Sequence, residues 1–382
     1  MFPGVYVEEI GINVKSIEGV STSTTGMLGL TQKGPLNQPT LVTSFSEFQM
    51  LFGGYLDISY ADYRYLPHAV EGFFQNGGRR VYINRVAATD GVVSDETILG
   101  KDSSEPSQRT GIWAFNNVDE IKILAIPNGT SQKIHYGMIR HCENRKNRFA
   151  VLDPKKCSSL DEIQKQRSLY NSSYAALYYP WIKIQRPDTK EIISIPPSGH
   201  ICGIYARTDQ QRGVHYAPAN ELIDGALGQE QQIPKAQQDM LNPLGINCLQ
   251  EFSGRGFRVW GARTTSNDSL WKYINIRRLF LYLEESIEKG TQWVVFEPNN
   301  EKLWASVKQT VSQFLTIMWK SGALMGTTSE QAFFVKCGRD TMTQDDIDNG
   351  RLIILIGVAP VKPAEFVIFR VGQWHGGSAV TE

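Results

Sequence analysis

The strongest constraint on the fold lies between residue 242 and the C-terminus, where the sequence encodes two long amphipathic helices. Apolar residues recur at steps of three and four in residues 269–289 and again in residues 302–320, which predicts one buried stripe on each helix. The stripes consist of Tyr273, Ile276, Phe280, Leu283 and Ile287, and of Leu303, Val307, Val311, Phe314 and Met318. Between them, the apolar segment Gln292–Phe296, closed by Pro298, predicts a buried strand. This region therefore begins as a layered α/β unit.

The end of the chain predicts a small sheet. Apolar runs at 333–337, 352–358 and 366–371 read as strands, and one short helix among them begins at the N-cap Thr343 with Asp346 three residues later. The link at 359–363 is short enough to make the last two strands an antiparallel hairpin. Three strands with this much Val, Ile and Phe leave edges that can pair with another chain, so we expect something to cover them.

The N-terminus carries a strand-forming segment, residues 3–10, that has no local partner. It is followed by Gly19 and a Ser/Thr-rich stretch at 21–25, which is typical of a flexible linker rather than of a hairpin turn. A terminal strand of this kind pairs with a distant strand. Two alternatives stay open: it edges this chain's own sheet, or it pairs elsewhere.

Residues 26–240 alternate between strand and helix signals. Ser44 with Glu47 predicts a capped helix, further helices are expected at 66–75, near 132–145, from Asp161 and near 200–207, and residues 176–185 read as one strand. Residues 90–110 are polar and predict a surface loop. The alternation predicts a mixed α/β domain with mainly parallel pairing.

Composition excludes several classes of function. Lys plus Arg equals Asp plus Glu at 39 each, so no global field favours nucleic acid or an anionic membrane. The five cysteines are widely spaced without a CxxC motif, which argues against a disulfide framework or a zinc site. No signal peptide and no apolar run long enough for a bilayer is evident. We expect folding in a reducing cytoplasm.

Three constellations invite a catalytic interpretation, and each has a simpler explanation. The glycines of residues 254–261 lack the following helix and the Lys-Ser or Lys-Thr step of a phosphate-binding loop. His200 and Cys202 lie two residues apart on a predicted helix and would face different sides. The aspartates at 345, 346 and 348 lack the remaining ligands of an EF-hand. The sequence thus predicts no catalytic residue, cofactor or metal site.

One charge pattern is less ordinary. Glu284, Glu285 and Glu288 lie near the C-terminal end of the first long helix, where the helix dipole disfavours carboxylates. Either these residues form a solvated face, or a basic partner docks there.

Several motifs together resemble the tail sheath family of contractile phage tails and related injection systems. They lie at residues 3–9, 51–54, 72–78, 242–247, 254–263, 277–280, 284–287, 333–337 and 359–366. They cover the first hundred residues and nearly everything after 240, whereas residues 90–240 resemble the family weakly. The large outer insertions of some phage members are absent, which favours a compact sheath like those of R-type pyocins or extracellular injection systems, with the sheath of a small phage as the alternative.

The resemblance implies a structural subunit that forms stacked hexameric rings around an inner tube and contracts to drive the tube through a target cell envelope. It implies a multi-domain α/β fold with an N-terminal linking arm (1–20), an outer α/β domain (21–240), an inner sheath core domain (241–371) and a C-terminal arm (372–382). The inner-domain sheet is completed by arms of neighbouring subunits. The residues expected in this inter-subunit strand pairing are Val5, Tyr6, Val7, Phe366, Val367, Ile368, Phe369 and Val371. The helix bearing Glu284, Glu285 and Glu288 becomes the candidate tube-facing surface.

The implied partners are further copies of the chain, an inner tube protein, and baseplate and tail terminator proteins, with no nucleic acid and no membrane insertion. Assembly is expected in the bacterial cytoplasm, as part of a phage tail or of a tail-like particle released from the cell. Two alternatives remain: a non-contracting tail or baseplate-proximal component of the same lineage, and an enzyme whose site the sequence does not reveal.

Overall fold

The computed structural model describes residues 16–57, 60, 64–88 and 93–366. Within these residues the strands are β1 (Thr25–Gly29), β2 (Thr40–Val42), β3 (Val81–Arg85), β4 (Ile123–Ala125), β5 (Phe149–Leu152), β6 (Ala175–Tyr179), β7 (Ile182–Gln185), β8 (Ile192–Ile195), β9 (Ala226–Gln229), β10 (Ile246–Phe252), β11 (Gly256–Trp260), β12 (Phe333–Lys336) and β13 (Leu355–Val358). The α-helices are α1 (Phe45–Phe52), α2 (Leu66–Gln75), α3 (Asp95–Leu99), α4 (Gln132–Arg145), α5 (Leu160–Ser168), α6 (Ser198–Gln211), α7 (Lys235–Leu241), α8 (Ile274–Gly290), α9 (Glu301–Lys320), α10 (Ser329–Ala332) and α11 (Gln344–Asp348). Short 3-10 helices lie at Pro106–Gln108, Gly111–Asn117, Asn242–Leu244, Ser269–Trp271 and Gln292–Val294.

Eight of the described strands form one sheet, in the order β11-β10-β6-β5-β4-β1-β3-β2. The six central strands are parallel, and β2 and β11 pair antiparallel at the two edges. Strands β1, β4, β5 and β6 are buried along their whole length, as in parallel sheets covered by helices on both faces. The predicted mixed α/β fold with mainly parallel pairing is confirmed.

Helices cover both faces of this sheet. Adjacent strand residues point to opposite sides, so Met27 packs in one core and Leu28 in the other. The first core contains side chains from α1, α2 and α6, and the second contains side chains from α3, α4 and α5. The large sheet is therefore the middle layer of a three-layer unit.

A second sheet of three described strands, in the order β8-β7-β9, is antiparallel. It corrects the prediction of one strand over residues 176–185. The segment is divided into β6 and β7, with Pro180 between them. Because proline cannot donate to a strand ladder, β6 ends there and β7 joins the other sheet.

A third core is formed by α9, by the two-stranded sheet of β12 and β13, and by one side of α8. Val307, Val311 and Phe314 are buried in it, which confirms the predicted stripe of α9. Helix α8 contributes Leu279 and Leu283 to this core but Ile274 and Leu281 to the first core, because it lies between the two. Its first half is buried on nearly all sides, which is a wider buried surface than the predicted single stripe.

The predicted boundary at residues 240/241 does not separate two packing units. Strand β10 pairs with β6 in parallel, and β11 extends the same sheet from β10. Residues 246–260 therefore belong to the large sheet, and most of the third core comes from α8 and the residues after it. The predicted inner domain, residues 241–371, is thus divided between the large sheet and the third core. The reason is that β10 forms its backbone hydrogen bonds with β6, whose edge would otherwise be unpaired.

The segment Gln292–Phe296 is not the predicted buried strand. Its first residues form a 3-10 turn, Gln292–Val294, immediately after the end of α8. Trp293 and Val294 pack partly against the third core, whereas Val295 and Phe296 are exposed. The prediction was wrong because it took a short apolar run as evidence of burial.

The predicted terminal strands fall mostly outside the described residues. Of the residues expected in strand pairing, Val5, Tyr6, Val7, Val367, Ile368, Phe369 and Val371 lie outside the described ranges. Phe366 is described, is 70% exposed and lies in no strand. Strand β13 is shorter than predicted and begins at Leu355, and of the three predicted strands two are described.

Candidate functional site

The sequence constellations with catalytic residue types lie in structural roles. His200 and Cys202 are buried in the body of α6, and burial lowers the pKa of His200 to about 3 and raises that of the Cys202 thiol. Gly254 and Gly256 have positive φ in the tight turn between β10 and β11. In the part of the chain that the structure describes, no group of three His, Cys, Asp or Glu side chains could hold a metal ion, and no helix is long and apolar enough to cross a membrane.

The aspartates near the C-terminal sheet cap a helix. Thr343 accepts a hydrogen bond from the backbone N–H of Asp346, whose carboxylate accepts in return from the N–H of Thr343. Arg351 pairs with Asp345 and Asp346. The predicted N-cap is confirmed, and these carboxylates are occupied by the cap and by Arg351.

Helix α8 carries two arginines whose guanidinium groups are buried. Arg278 donates to both carboxylate oxygens of Asp209 on α6, at 2.9 and 2.6 Å, and to the carbonyl of Thr22 at 3.0 Å. Both side chains of the Arg278–Asp209 pair are 3% exposed. Arg277 lies over the rings of Tyr174 and Trp271, with centroid distances of 4.6 and 4.4 Å. These arginines connect α8 to its own chain rather than to solvent.

The three glutamates of α8 do not form one exposed surface. Glu285 is 7% exposed, and the ammonium group of Lys122 lies 2.7 Å from its carboxylate. Burial lowers the pKa of Lys122, although its hydrogen bond to Glu285 opposes this shift. Lys289 forms a second ion pair with Glu285 at 2.7 Å. Glu285 is therefore neutralised inside the subunit, which contradicts its placement on a tube-facing surface.

Glu284 and Glu288 remain exposed near the end of the helix. Glu284 has a side chain that is 50% exposed and lies 3.3 Å from Arg277. The side chains that remain accessible for a partner are thus Glu284 and Glu288, with Lys289 beside them.

The small sheet of β12 and β13 has open edges within the described residues, since each strand pairs there only with the other. Its outward face carries two exposed apolar side chains: that of Phe334 is 48% exposed and that of Leu355 is 51% exposed, with Lys336 on the same face. Phe334 lies against Gly357 of the neighbouring strand, so closely that a methyl group at Gly357 would fall 2.2 Å from the ring. This sheet offers unpaired main-chain groups beside an apolar surface, which is the arrangement that strand addition uses.

Sequence reasoning missed one polar site, where the C-terminal segment contacts the residues that follow the edge strand β11. Arg263, just after β11, donates to both carboxylate oxygens of Glu365, at 2.8 and 2.6 Å. The hydroxyl of Tyr273 donates to the same carboxylate at 3.1 Å, and Lys272 lies 3.5 Å away. Both Arg263 and Glu365 stand in motifs that carried the family resemblance, yet nothing in either motif indicates that they meet.

The electrostatics of this site favour an ionised carboxylate. Burial by itself raises the pKa of Glu365, but the hydrogen bonds and charge of Arg263, together with Lys272 and Tyr273, lower it overall. The side chains of Arg263 and Glu365 are 7% and 14% exposed. A bidentate pair of this kind fixes both the distance and the orientation of the two groups.

Comparison with known proteins gives a consistent result over the whole chain. Residues 109–265 match the family model described as phage tail sheath protein central domain, and residues 266–373 match that of the phage tail sheath C-terminal domain. The tail sheath protein of Escherichia phage P2 is 22% identical over an alignment of 393 positions, and the alignment covers 96% of this chain and 94% of that protein.

Among solved structures, the chain is similar to the sheath complex of an extracellular contractile injection system, PVC, in the contracted state. The identity is 30% and the TM-score 0.80, with 98% of each chain covered. A chain in the baseplate of the anti-feeding prophage (AFP) is 32% identical with a TM-score of 0.79, covering 98% of this chain and 99% of that one.

Proposed function

This chain belongs to the phage tail sheath family, and from that membership we propose that it polymerises as stacked hexameric rings around an inner tube and contracts to drive the tube through a target cell envelope. The observation that carries the proposal is the match over 98% of the chain to a sheath complex in a contracted state. The role is structural: the curated relatives are sheath proteins.

Neighbouring subunits are held together in this proposal by strand addition. The segments containing Val5–Val7 and Phe366–Val371 of neighbouring copies pair with the open edges of β12 and β13. Main-chain hydrogen bonds and burial of the apolar segment then link the subunits while the three-layer units rotate as rigid bodies. The exposed Phe334 and Leu355 support a covered sheet.

We assign the tube contact to the C-terminal end of α8, where Glu284 and Glu288 are the two glutamates that remain exposed. Because Glu285 is neutralised by Lys122, the charge offered to a basic tube surface is smaller than the sequence indicated. An exposed ion pair contributes about 1 kcal/mol or less, but the same contact repeated in every ring holds an extended sleeve in register. The free energy for contraction is stored in the extended assembly, which lies higher in free energy than the contracted state and is kept from it by a barrier. No cofactor takes part.

The remaining partners are the baseplate and a tail terminator protein at the two ends of the sleeve. Assembly takes place in the bacterial cytoplasm, and the particle is a phage tail or a released tail-like particle.

A second candidate function is that of a non-contracting, baseplate-proximal component of the same lineage. The observation that favours it is the match to a chain in the AFP baseplate, which has a higher identity than the match to the PVC sheath complex.

Electron microscopy of the purified full-length chain, alone and co-expressed with its tube protein, tests these proposals. A contractile sheath gives long hollow sleeves, which in the co-expressed sample are present both as extended, tube-filled sleeves and as shorter, contracted ones. Isolated rings without sleeves in both samples would favour the baseplate component. Discrete monomers in both would contradict both candidates.

A further inference from the structure

The segment that leads from β13 to the C-terminus is attached to the body at two places. The first attachment is by main-chain hydrogen bonds: Met325 donates to the carbonyl of Ala359 at 2.7 Å, and Val361 donates to that of Ala323 at 3.1 Å. These bonds connect the segment to the end of α9 and to the loop after it. Up to Val361, the segment therefore moves with the third core.

The second attachment is Glu365, held by Arg263, Tyr273 and Lys272. Between the two attachments the segment packs little, since Lys362 and Ala364 are exposed, and Phe366 directly after the second attachment is exposed as well. Residues 361–366 also line a cavity of about 630 Å³, together with Tyr216, Trp260 and Asn275. The ionic contact of Glu365, rather than apolar burial, holds this end of the segment against the body.

Arg263 is itself rigidly placed on the large sheet. Its backbone N–H donates to the side-chain oxygen of Asn247 at 2.7 Å, and the amide group of Asn247 donates back to its carbonyl at 2.8 Å. Its third guanidinium contact is the carbonyl of Asn242 at 2.9 Å. Asn247 lies in β10. Through Arg263, Glu365 is therefore held in position relative to the large sheet rather than to the third core.

We propose that the Arg263–Glu365 pair fixes Glu365 on the body of each subunit, and thereby the point from which the C-terminal arm of the proposed function starts. Arg263 and Glu365 are positioning residues for the exchange of the C-terminal strand. The inference rests on the proposed function, because it concerns how the arm reaches the sheet of the next subunit.

The length of chain that the anchor restrains gives the size of the effect. Without the anchor, the last residue held by the body is Val361 instead of Glu365, and at 3.3–3.6 Å per residue the four residues of difference give position 365 about 14 Å of play. A larger volume accessible to the arm lowers its effective concentration at the acceptor sheet. The anchor also makes the arm follow the large sheet when a subunit rotates, which transmits the rotation to the neighbour.

The test uses Glu365→Gln in the full-length chain, with Glu251→Gln, an exposed glutamate of β10, as the matched control. Amide hydrogen exchange is measured on peptides spanning residues 359–366 in the unassembled fraction, and sleeve formation is measured by sedimentation and electron microscopy. We expect several-fold faster exchange of the Val361 amide, because its hydrogen bond to the carbonyl of Ala323 opens more often once the residues after it are released, and a marked fall in the sleeve fraction. The control behaves as wild type. Tyr273→Phe removes one hydroxyl contact and gives a smaller change of the same kind in a subunit whose melting temperature is unchanged.

The outcomes separate this inference from the function on which it rests. Unchanged exchange in Glu365→Gln and in Tyr273→Phe would show that Glu365 does not hold the segment. Faster exchange with normal sleeves would show that the position of Glu365 does not matter for assembly. Either result overturns the inference and leaves the proposed function standing. A wild-type chain that forms no sleeves would overturn the proposed function, and the inference with it.

Discussion

Arg278 and Asp209 form a bidentate ion pair that joins α8 to α6 with both side chains 3% exposed. The hydroxyl of Thr22 donates to the same carboxylate at 2.6 Å, and the guanidinium group lies 4.7 Å from the centroid of the Tyr205 ring. The N-terminal segment, the helical layer over the large sheet and the helix that leads into the third core therefore meet at one buried carboxylate.

Replacing this carboxylate by an amide, Asp209→Asn, leaves the charge of Arg278 buried without its counter-ion. We expect a loss of about 3–5 kcal/mol in the free energy of unfolding, as for other broken buried pairs. Asp345→Asn is the control, because the side chain of Asp345 is 76% exposed in its pair with Arg351, and there we expect less than about 1 kcal/mol. Urea unfolding of the unassembled fraction measures both. Equal losses in the two variants would contradict a structural role for the buried pair.

Four buried histidines make the subunit sensitive to acid. Burial lowers the pKa of His135, His141 and His200 to about 3 each, and that of His68 to about 4. In the unfolded chain these groups titrate near pH 6.5, so the unfolded state binds protons that the native state does not. Their contribution to stability is present above pH 6.5 and is lost as the pH falls toward the native values.

One buried carboxyl opposes this trend. Burial raises the pKa of Asp153 to about 7, because its hydrogen bonds from Ser198 and Asn128 only partly offset desolvation. Between about pH 4 and 7 the native state thus holds one proton that the unfolded state has lost. These five groups by themselves, four histidines against one carboxyl, take up about three protons on unfolding near pH 5. We expect stability to fall from pH 6.5 to pH 4.5, measured by urea unfolding at constant ionic strength, and a flat profile would contradict the neutral state of the histidines.

Charge reversal separates the three glutamates of α8. Glu285→Lys places a second cation beside Lys122 inside the protein, so we expect a subunit destabilised by several kcal/mol, about the cost of breaking a buried pair. The double change Glu284→Lys and Glu288→Lys affects exposed side chains, so we expect a smaller loss than for Glu285→Lys, which arises mainly because the Glu284 carboxylate no longer lies 3.3 Å from Arg277.

The double variant also tests the tube contact. If a basic tube surface docks at this end of α8, extended tube-filled sleeves become rare in the double variant at low salt, while empty contracted sleeves still form. Electron microscopy of particles co-expressed with the tube protein counts both kinds. A normal frequency of extended sleeves at low and high salt would mean that Glu284 and Glu288 are only a solvated face.

The parts of this fold that the sequence predicts well are those fixed by neighbours in the chain. The cap of Thr343 and Asp346, the helix at 132–145 and the apolar stripe of α9 depend on spacings of three and four residues, and the structure contains all of them. The site residues depend instead on contacts far apart in sequence. Lys122 and Glu285 are separated by 163 positions, and Arg263 and Glu365 by 102.

Such long-range pairs leave no local signal. The glutamates of α8 have the same helical spacing whether they face a partner or a buried lysine. Which of the two they face depends on the part of the chain that packs against the helix, here the residues just before β4. In the same way, the composition of residues 292–296 does not reveal that Phe296 is fully exposed in a left-handed conformation, with φ at 69°. That conformation is rare for a bulky side chain, and only the backbone route between α8 and α9 determines it.

The N-terminal arm can be separated from the fold of the subunit by a deletion that ends at the right residue. Ile17 is 8% exposed in the third core beside Gly290, and the N–H of Val20 donates to the hydroxyl of Ser286 at 3.2 Å. Residues from Ile17 onward are thus part of the subunit's own packing.

Deleting residues 1–15 leaves these contacts in place, so we expect a folded chain with a nearly unchanged melting temperature. This chain forms no sleeves, because the strand-forming segment at Val5–Val7 is missing. Ile17→Ala is the opposite case: it leaves a cavity in the core, costs about 2–4 kcal/mol, and retains the arm, so its sleeves still form at low temperature. Calorimetry of the unassembled fractions and sedimentation of the sleeves distinguish the two. An unfolded deletion variant would place the strand in this chain's own sheet, and a deletion variant that assembles normally would show that the N-terminal arm does not link subunits.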